Sequence, residues 1–258
     1  MAINIQSSVI NNRTFGITGV STNPVTLDGS SSAKAAPSAN WLRNKCGINT
    51  NGIYWLNPGG LGANQFYCDF TFDNQRVWVM VVANRLNTGG LSGLTYAAAT
   101  GAQINTAGTY NSSLGFNLLV GLPYWKYLGD TICQYVATSN VSISGSHTKR
   151  ARWKFNGFTS TYAFIYPRSI TVDVGADNPG WYAYHAVNNF SFSTYNNDQD
   201  AYGANCSVLY NNQPWWYGAC WDGNYFAGGS GYQDGPYWSG SGGDYHNYGA
   251  AFLSFTDL

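Results

Sequence analysis

The chain has 258 residues, formal net charge 0, 17% aromatic residues and only 9% charged ones, against roughly 25% charged in an average soluble protein. All twelve acidic residues are Asp, so long exposed helices built on Glu and Lys are disfavoured. There is no basic excess to hold nucleic acid by counterion release and no apolar run long enough for membrane insertion, and 10 Trp, 20 Tyr and 13 Phe argue against disorder.

Residues 1–36 read as an extended N-terminal arm. Ile3–Ile5 and Phe15–Val20 are short β-prone pieces that build no core alone, and Gly29–Pro37 has linker composition. Met1–Ile10 lacks the basic and apolar regions of a secretory signal. Residues 37–258 read as one domain. Ser38–Lys45 suits a short helix with Ser38 as N-cap and Gly47 past its end. Gly52–Leu56 and Gln65–Phe72 have strand patterning, and Arg76–Val82 is a continuous apolar run expected in a central strand buried on both faces. Asn87–Ser113 reads as a long loop system, and further strands are expected at Val136–Ser144, Ala151–Phe158, Tyr162–Tyr166 and Ser169–Val174. From Tyr182 onward the chain is polar, aromatic and glycine-rich with little periodicity, the kind of region that is functional or ion-stabilised.

The five cysteines suggest disulfides: Cys206 with Cys220 and Cys46 with Cys68 flank loop-like segments, while Cys133 reads as a buried free thiol. No C-x-x-C pair exists and no His has zinc-ligand spacing. A 206–220 bridge would close a loop of about fifteen residues, worth roughly 3 kcal/mol. Just before it, Asp198 and Asp200 alternate within a run of Asn and Gln, a pattern open to two readings: a solvated acidic turn, or oxygen ligands for a hard cation such as calcium.

Phe192-Ser-Thr-Tyr, Asp198-x-Asp200, Asn205-Cys206, Trp215-Trp216, Cys220 and Gly223-x-Tyr225-Phe226 together resemble the fibrinogen C-terminal domain, the family of ficolins and tachylectin-type lectins. Gly52-Ile-Tyr-Trp-Leu-Asn-Pro, Phe66-Tyr-Cys-Asp-Phe and Trp78-Val-Met-Val-Val are similar to its opening strands, so the likeness runs over about residues 40–240. The resemblance implies a β-dominated α+β fold: a twisted antiparallel sheet, short helices and a large loop-rich C-terminal subdomain. It implies a calcium ion held by the side chains of Asp198 and Asp200 and the carbonyls of Tyr202 and Ala204. It also implies a cis peptide at Ala219–Cys220 and a ligand pocket near Trp221, Tyr225, Phe226, Tyr245 and Asn205, the alternative being that Trp221 and Tyr225 merely pack the loops together. Trp221 stands where the family commonly has His, and the closing motif is only loosely echoed by Trp238–Tyr248. Intelectins share the opening strands, and Gly249–Phe255 is similar to their closing strand, but they lack the Asp198 block.

Catalysis is not expected: His147, His185 and His246 have no G-x-S-x-G nucleophile to serve, and no phosphate loop matches. The Lys149–Arg152 cluster reads as a solvated patch. A protein without a signal but with disulfides fits a virus particle released by lysis, or a secreted protein whose signal has been removed. The expected role is therefore a virion component of a phage, tail-fibre-like, binding a host surface glycan with calcium. The 1–36 arm would join other virion proteins, and a homo-oligomer, a trimer for instance, would supply avidity. The alternatives are a structural decoration protein without a ligand, and a depolymerase using Asp222, Asp234 or Asp244.

Overall fold

The computed structural model describes residues 26–107, 117–138, 143, 147–165, 168–174, 188–220, 224–229, 232–238 and 246–255. The hydroxyl of Ser38 accepts the Trp41 amide at 3.2 Å and starts helix α1 (Ala39–Cys46); Gly47, at φ +69°, ends it by returning its amide to the carbonyls of Leu42 and Arg43. Leu42 and Ala39 are buried, and β1 (Gly52–Leu56) follows. The segment before the helix is packed rather than linker-like. Ala36 is fully buried and bridges Leu56, and the Trp55 amide donates to the Gly29 carbonyl at 2.9 Å. Residues 1–25 of the expected arm lie outside the described residues.

Among the described residues the main sheet has nine strands, all pairings antiparallel, in the order β1, β2 (Asn64–Asp69), β3 (Trp78–Arg85), β11 (Tyr248–Ser254), β6 (Thr131–Ala137), β7 (Lys149–Lys154), β8 (Arg168–Val174). β3 shares one edge between two partners: Trp78 and Val79 pair with β2, while Val82 and Ala83 pair with β5 (Asn117–Val120), which also carries β4 (Ile104–Ala107). Every residue of β3 from Trp78 to Asn84 is buried, as its continuous apolar run requires. β11 comes last in the sequence yet sits mid-sheet, with Phe252 between Met80 and Cys133. A bulge at Val81 lets Ala251 pair with Val82 and Phe252 with Met80. Outside the sheet, β9 (Asn224–Gly229) and β10 (Tyr232–Tyr237) form a two-stranded hairpin. The helices α2 (Tyr96–Ala99), α3 (Leu122–Leu128) and α4 (Cys206–Leu209) are short.

Several expectations are corrected. The strand expected at Val136–Ser144 is β6, beginning at Thr131, because Thr131, Cys133 and Tyr135 pair across to β11. Among the described residues of Tyr162–Tyr166 there is no strand but a turn, closed by the Thr159 amide to the Ala163 carbonyl at 2.9 Å and a single bridge between Phe158 and Phe164. Asn87–Ser113 is not all loop, since it holds α2 and β4. Cys46 and Cys68 are free thiols, not a disulfide: Cys68 is sealed in the core opposite Gly52, while Cys46 ends α1 with its Sγ 3.6 Å from the Leu27 carbonyl. Cys133 is a buried free thiol. The Lys149–Arg152 cluster is structured rather than merely solvated. Arg152 donates twice to Asp173 at 2.8 and 2.9 Å, and Arg150 lies 4.8 Å over the Phe72 ring.

Polar pins fasten the C-terminal loops to the sheet. The Asn84 amide donates to the Tyr225 carbonyl. Gln213 accepts from the Leu91 amide at 2.8 Å and donates to the Gly89 carbonyl at 2.8 Å. Both side chains are fully buried, where a lost partner costs more than the bond contributes.

Candidate functional site

The loop 193–220 is built from short-range bonds around one disulfide. Ser193 and Trp215 exchange backbone hydrogen bonds at 2.8 and 3.1 Å, and Thr194 and Asn197 exchange two more at 3.0 Å, closing a tight turn. The Ser193 hydroxyl accepts the Gln199 amide at 2.9 Å, and the Ala201 amide reaches across to the Gly218 carbonyl at 3.0 Å. Gly218 is required where it stands, because a Cβ would lie 2.3 Å from the Phe190 ring. Cys206 and Cys220 are bonded, with Cα atoms 5.0 Å apart. The Ala219–Cys220 peptide is trans, correcting the expected cis bond, and Cys220 takes φ +77°.

Asp200 organises the loop. Its Oδ1 accepts the Tyr202 amide at 2.9 Å and its Oδ2 the Cys206 amide at 2.8 Å, while its own amide donates to Asp198 Oδ1 at 3.3 Å. Burial raises the Asp200 carboxyl above its ordinary value; the amide bonds from Cys206 and Tyr202 oppose this, and the neighbouring carboxylate of Asp198 adds to it. Two carboxylates thus share one turn, one exposed and one half-buried. The carbonyls of Tyr202 and Ala204 lie in the following exposed segment and, among the described residues, accept no backbone hydrogen bond. These four groups are oxygen donors, the chemistry of a hard cation. Among the described residues no group of three or more Asp, His or Cys side chains comes together, so the carboxylates would need the carbonyls to complete a coordination shell.

The expected ligand-pocket residues separate. Tyr225 and Phe226 are 1% and 0% exposed and pack on Trp215, with ring centroids at 5.6 and 6.0 Å. They are core, a correction of their assignment as ligand contacts: neither ring has a free face. Asn205 is likewise engaged as the N-cap of α4, accepting from Val208 at 3.2 Å and donating to the carbonyls of Thr194 and Tyr195 at 3.0 and 3.2 Å. Trp221 and Tyr245 lie outside the described residues. The aromatic groups exposed beside the carboxylates are Tyr195 and Tyr202. Of His147, His185 and His246, only His147 and His246 are described; the His147 ring packs tilted at 49° against Tyr135, with centroids 4.1 Å apart, and His246 is buried.

No protein-family model and no curated protein matches the chain. Among solved structures it is similar to the fibrinogen-like globe domain of human ANGPTL2, with a TM-score of 0.57 and 21% identity over 81% of this chain and 94% of that one. The fold is fibrinogen-like. The antiparallel sheet and the short helices agree with the β-dominated fold that the resemblance implied. In this fibrinogen-like frame sequence reasoning missed how Gln213 and Trp216 seat the loop. Gln213 carries no signal within an aromatic run. Trp216 is visible as half of a Trp-Trp pair, but its position at the meeting point of Phe164, Phe192 and Trp125, with centroids at 5.2, 4.7 and 5.6 Å, is a tertiary fact.

Proposed function

We propose that the protein is a non-enzymatic recognition domain that binds a host surface glycan beside a calcium ion held in the 198–204 turn. The observation that carries this reading is the Asp198–Asp200 pair on a loop made rigid by the Cys206 amide and the 206–220 disulfide. Side chains of Asp198 and Asp200 and carbonyls of Tyr202 and Ala204 would hold the ion. The ion would relieve the like-charge contact and offer open positions to sugar hydroxyls, while Tyr195 and Tyr202 present ring faces to sugar C–H groups.

The proposed setting is the surface of a virus particle, a phage most simply. Residues 1–36 would join other virion proteins, and a homo-oligomer, a trimer for instance, would raise avidity. The disulfide suits an oxidising surroundings of this kind. A second reading, a structural virion component with no ligand, draws on the burial of Tyr225 and Phe226. Binding to a panel of uncharged bacterial surface glycans and acetylated sugars, in calcium and then in chelator, separates the two. Saturable binding that chelator and Asp200→Asn both abolish is the expected result. No binding in either buffer would overturn the recognition role in favour of the structural one.

A further inference from the structure

A second site lies apart from the carboxylate loop, between α3 and the 156–162 turn. There a cleft of about 400 Å³ is lined by Lys126, Asn156, Phe158, Thr159, Ser160 and Tyr162, large enough for one or two sugar-sized rings. Phe158 and Tyr162 are each half-buried, with centroids 5.8 Å apart. Tyr162 takes φ +58°, a left-handed conformation that a bulky side chain rarely adopts. It is held there from several directions: its amide donates to the Thr159 carbonyl at 3.0 Å, and its carbonyl accepts the Trp216 indole N–H at 2.7 Å. The turn is braced again by the Thr159 hydroxyl, which accepts the amides of Thr161 and Ala163 at 3.3 and 3.0 Å, and by the Phe192 amide, which donates to the Thr161 carbonyl at 3.0 Å. A costly backbone conformation held by so many partners gives a preorganised wall, the form that strain at binding sites takes.

The charge in the cleft has one sign. Among the described residues no carboxylate lines it, and Lys126 makes no ion pair; its ammonium rests 4.8 Å from the Tyr127 ring. The remaining polar groups, Asn156, Thr159 and Ser160, are neutral and exposed at the mouth.

We propose that this cleft binds a sugar acid, one hexuronate-type unit of an acidic polysaccharide. The ring stacks against Phe158 and Tyr162, its hydroxyls meet Asn156 and Ser160, and its carboxylate meets Lys126. This site needs no cation and stands independently of the calcium-dependent reading of the 198–204 turn.

The test uses the full chain with sodium glucuronate and sodium galacturonate, followed by saturation-transfer NMR and titration in chelator. Saturable binding is expected, undiminished by chelator and weakened by added salt. Methyl glucoside should bind about tenfold more weakly, and Lys126→Gln should cost the acidic sugars about tenfold in affinity. Ser160→Trp, which fills the mouth of the cleft from an exposed position, should abolish binding with no change in melting temperature. Absence of saturable binding, or binding unchanged in both variants, overturns the site. Equal binding of methyl glucoside overturns the role of Lys126, and benzoate binding as tightly as glucuronate overturns the sugar class.

Discussion

The backbone amide of Cys206 donates to Asp200 Oδ2 at 2.8 Å, so the carboxylate that closes the acidic turn also holds the first residue of the disulfide. One side chain therefore couples the charge state of the turn to the seating of the 206–220 loop.

That coupling has a pH signature. Burial first, and the charge of Asp198 in addition, raise the folded-state pKa of Asp200. Because a raised acid favours its protonated form in the native state, this group's contribution to stability is complete below the unfolded value near 4 and lost as pH rises through the folded value. In chelator, the stability of the native protein relative to Asp200→Asn should fall as pH rises above about 4, read by urea denaturation at each pH. Saturating calcium should reverse that slope, since a cation binds the ionised carboxylates. Asp198→Asn keeps the acceptor for the Asp200 amide, removes the like charge and should raise the melting temperature in chelator by up to about 2 °C. An unchanged pH slope in Asp198→Asn would show that the repulsion is immaterial.

Removing the disulfide tests how far the loop depends on it. The Cys206→Ser, Cys220→Ser double variant should lose about 3 kcal/mol on chain-entropy grounds. In a domain of this size that is a fall of roughly 6–12 °C in melting temperature, measured by calorimetry. A smaller loss would mean that the amide bonds of Asp200 and the Gly218–Phe190 contact hold the loop unaided.

The three remaining cysteines predict a thiol count. Burial pushes the Cys68 and Cys133 thiols far above their ordinary values, whereas Cys46 is half-buried at a helix end. Titration with a thiol reagent should find one group reacting quickly in the native protein and three after denaturation without reductant. Finding only one after denaturation would restore a 46–68 disulfide.

A single methyl group should disrupt the end of α3. Gly129 passes so close to β11 that a Cβ would lie 2.4 Å from the backbone nitrogen of Ser254. The neighbouring Asp130 amide donates to the Ser254 carbonyl at 3.1 Å, so neither chain can withdraw without losing that bond. Gly129→Ala should destabilise the protein by about 1–3 kcal/mol in urea, with the urea dependence of the unfolding free energy unchanged. Gly203→Ala, with nothing near its Cβ position, is the matched control and should be within about 0.5 kcal/mol of the parent.

Local chemistry was legible in the sequence where a few neighbouring residues decide the outcome. Ser38 and Gly47 bound a helix because a cap needs only its own next three residues, and the run from Trp78 to Val82 reads as a central strand because no alternation leaves it a solvent face. The order of Asp198, Asp200, Cys206, Trp215 and Cys220 was enough to suggest the fibrinogen-like fold. Tertiary structure alone decided the rest. Gly249–Phe255 reads as one more apolar strand, and nothing within it says that β11 enters between β3 and β6, because strand order depends on which edge is left unpaired when the chain closes. Tyr225 and Phe226 look like exposed ligand contacts in a glycine-rich segment, yet they pack on Trp215, a residue whose position is set by its bridge to Ser193. The cleft at Lys126 joins residues about 30 positions apart in sequence. Trp216, from a third segment, helps to set the turn that carries its rings by donating to the carbonyl of Tyr162.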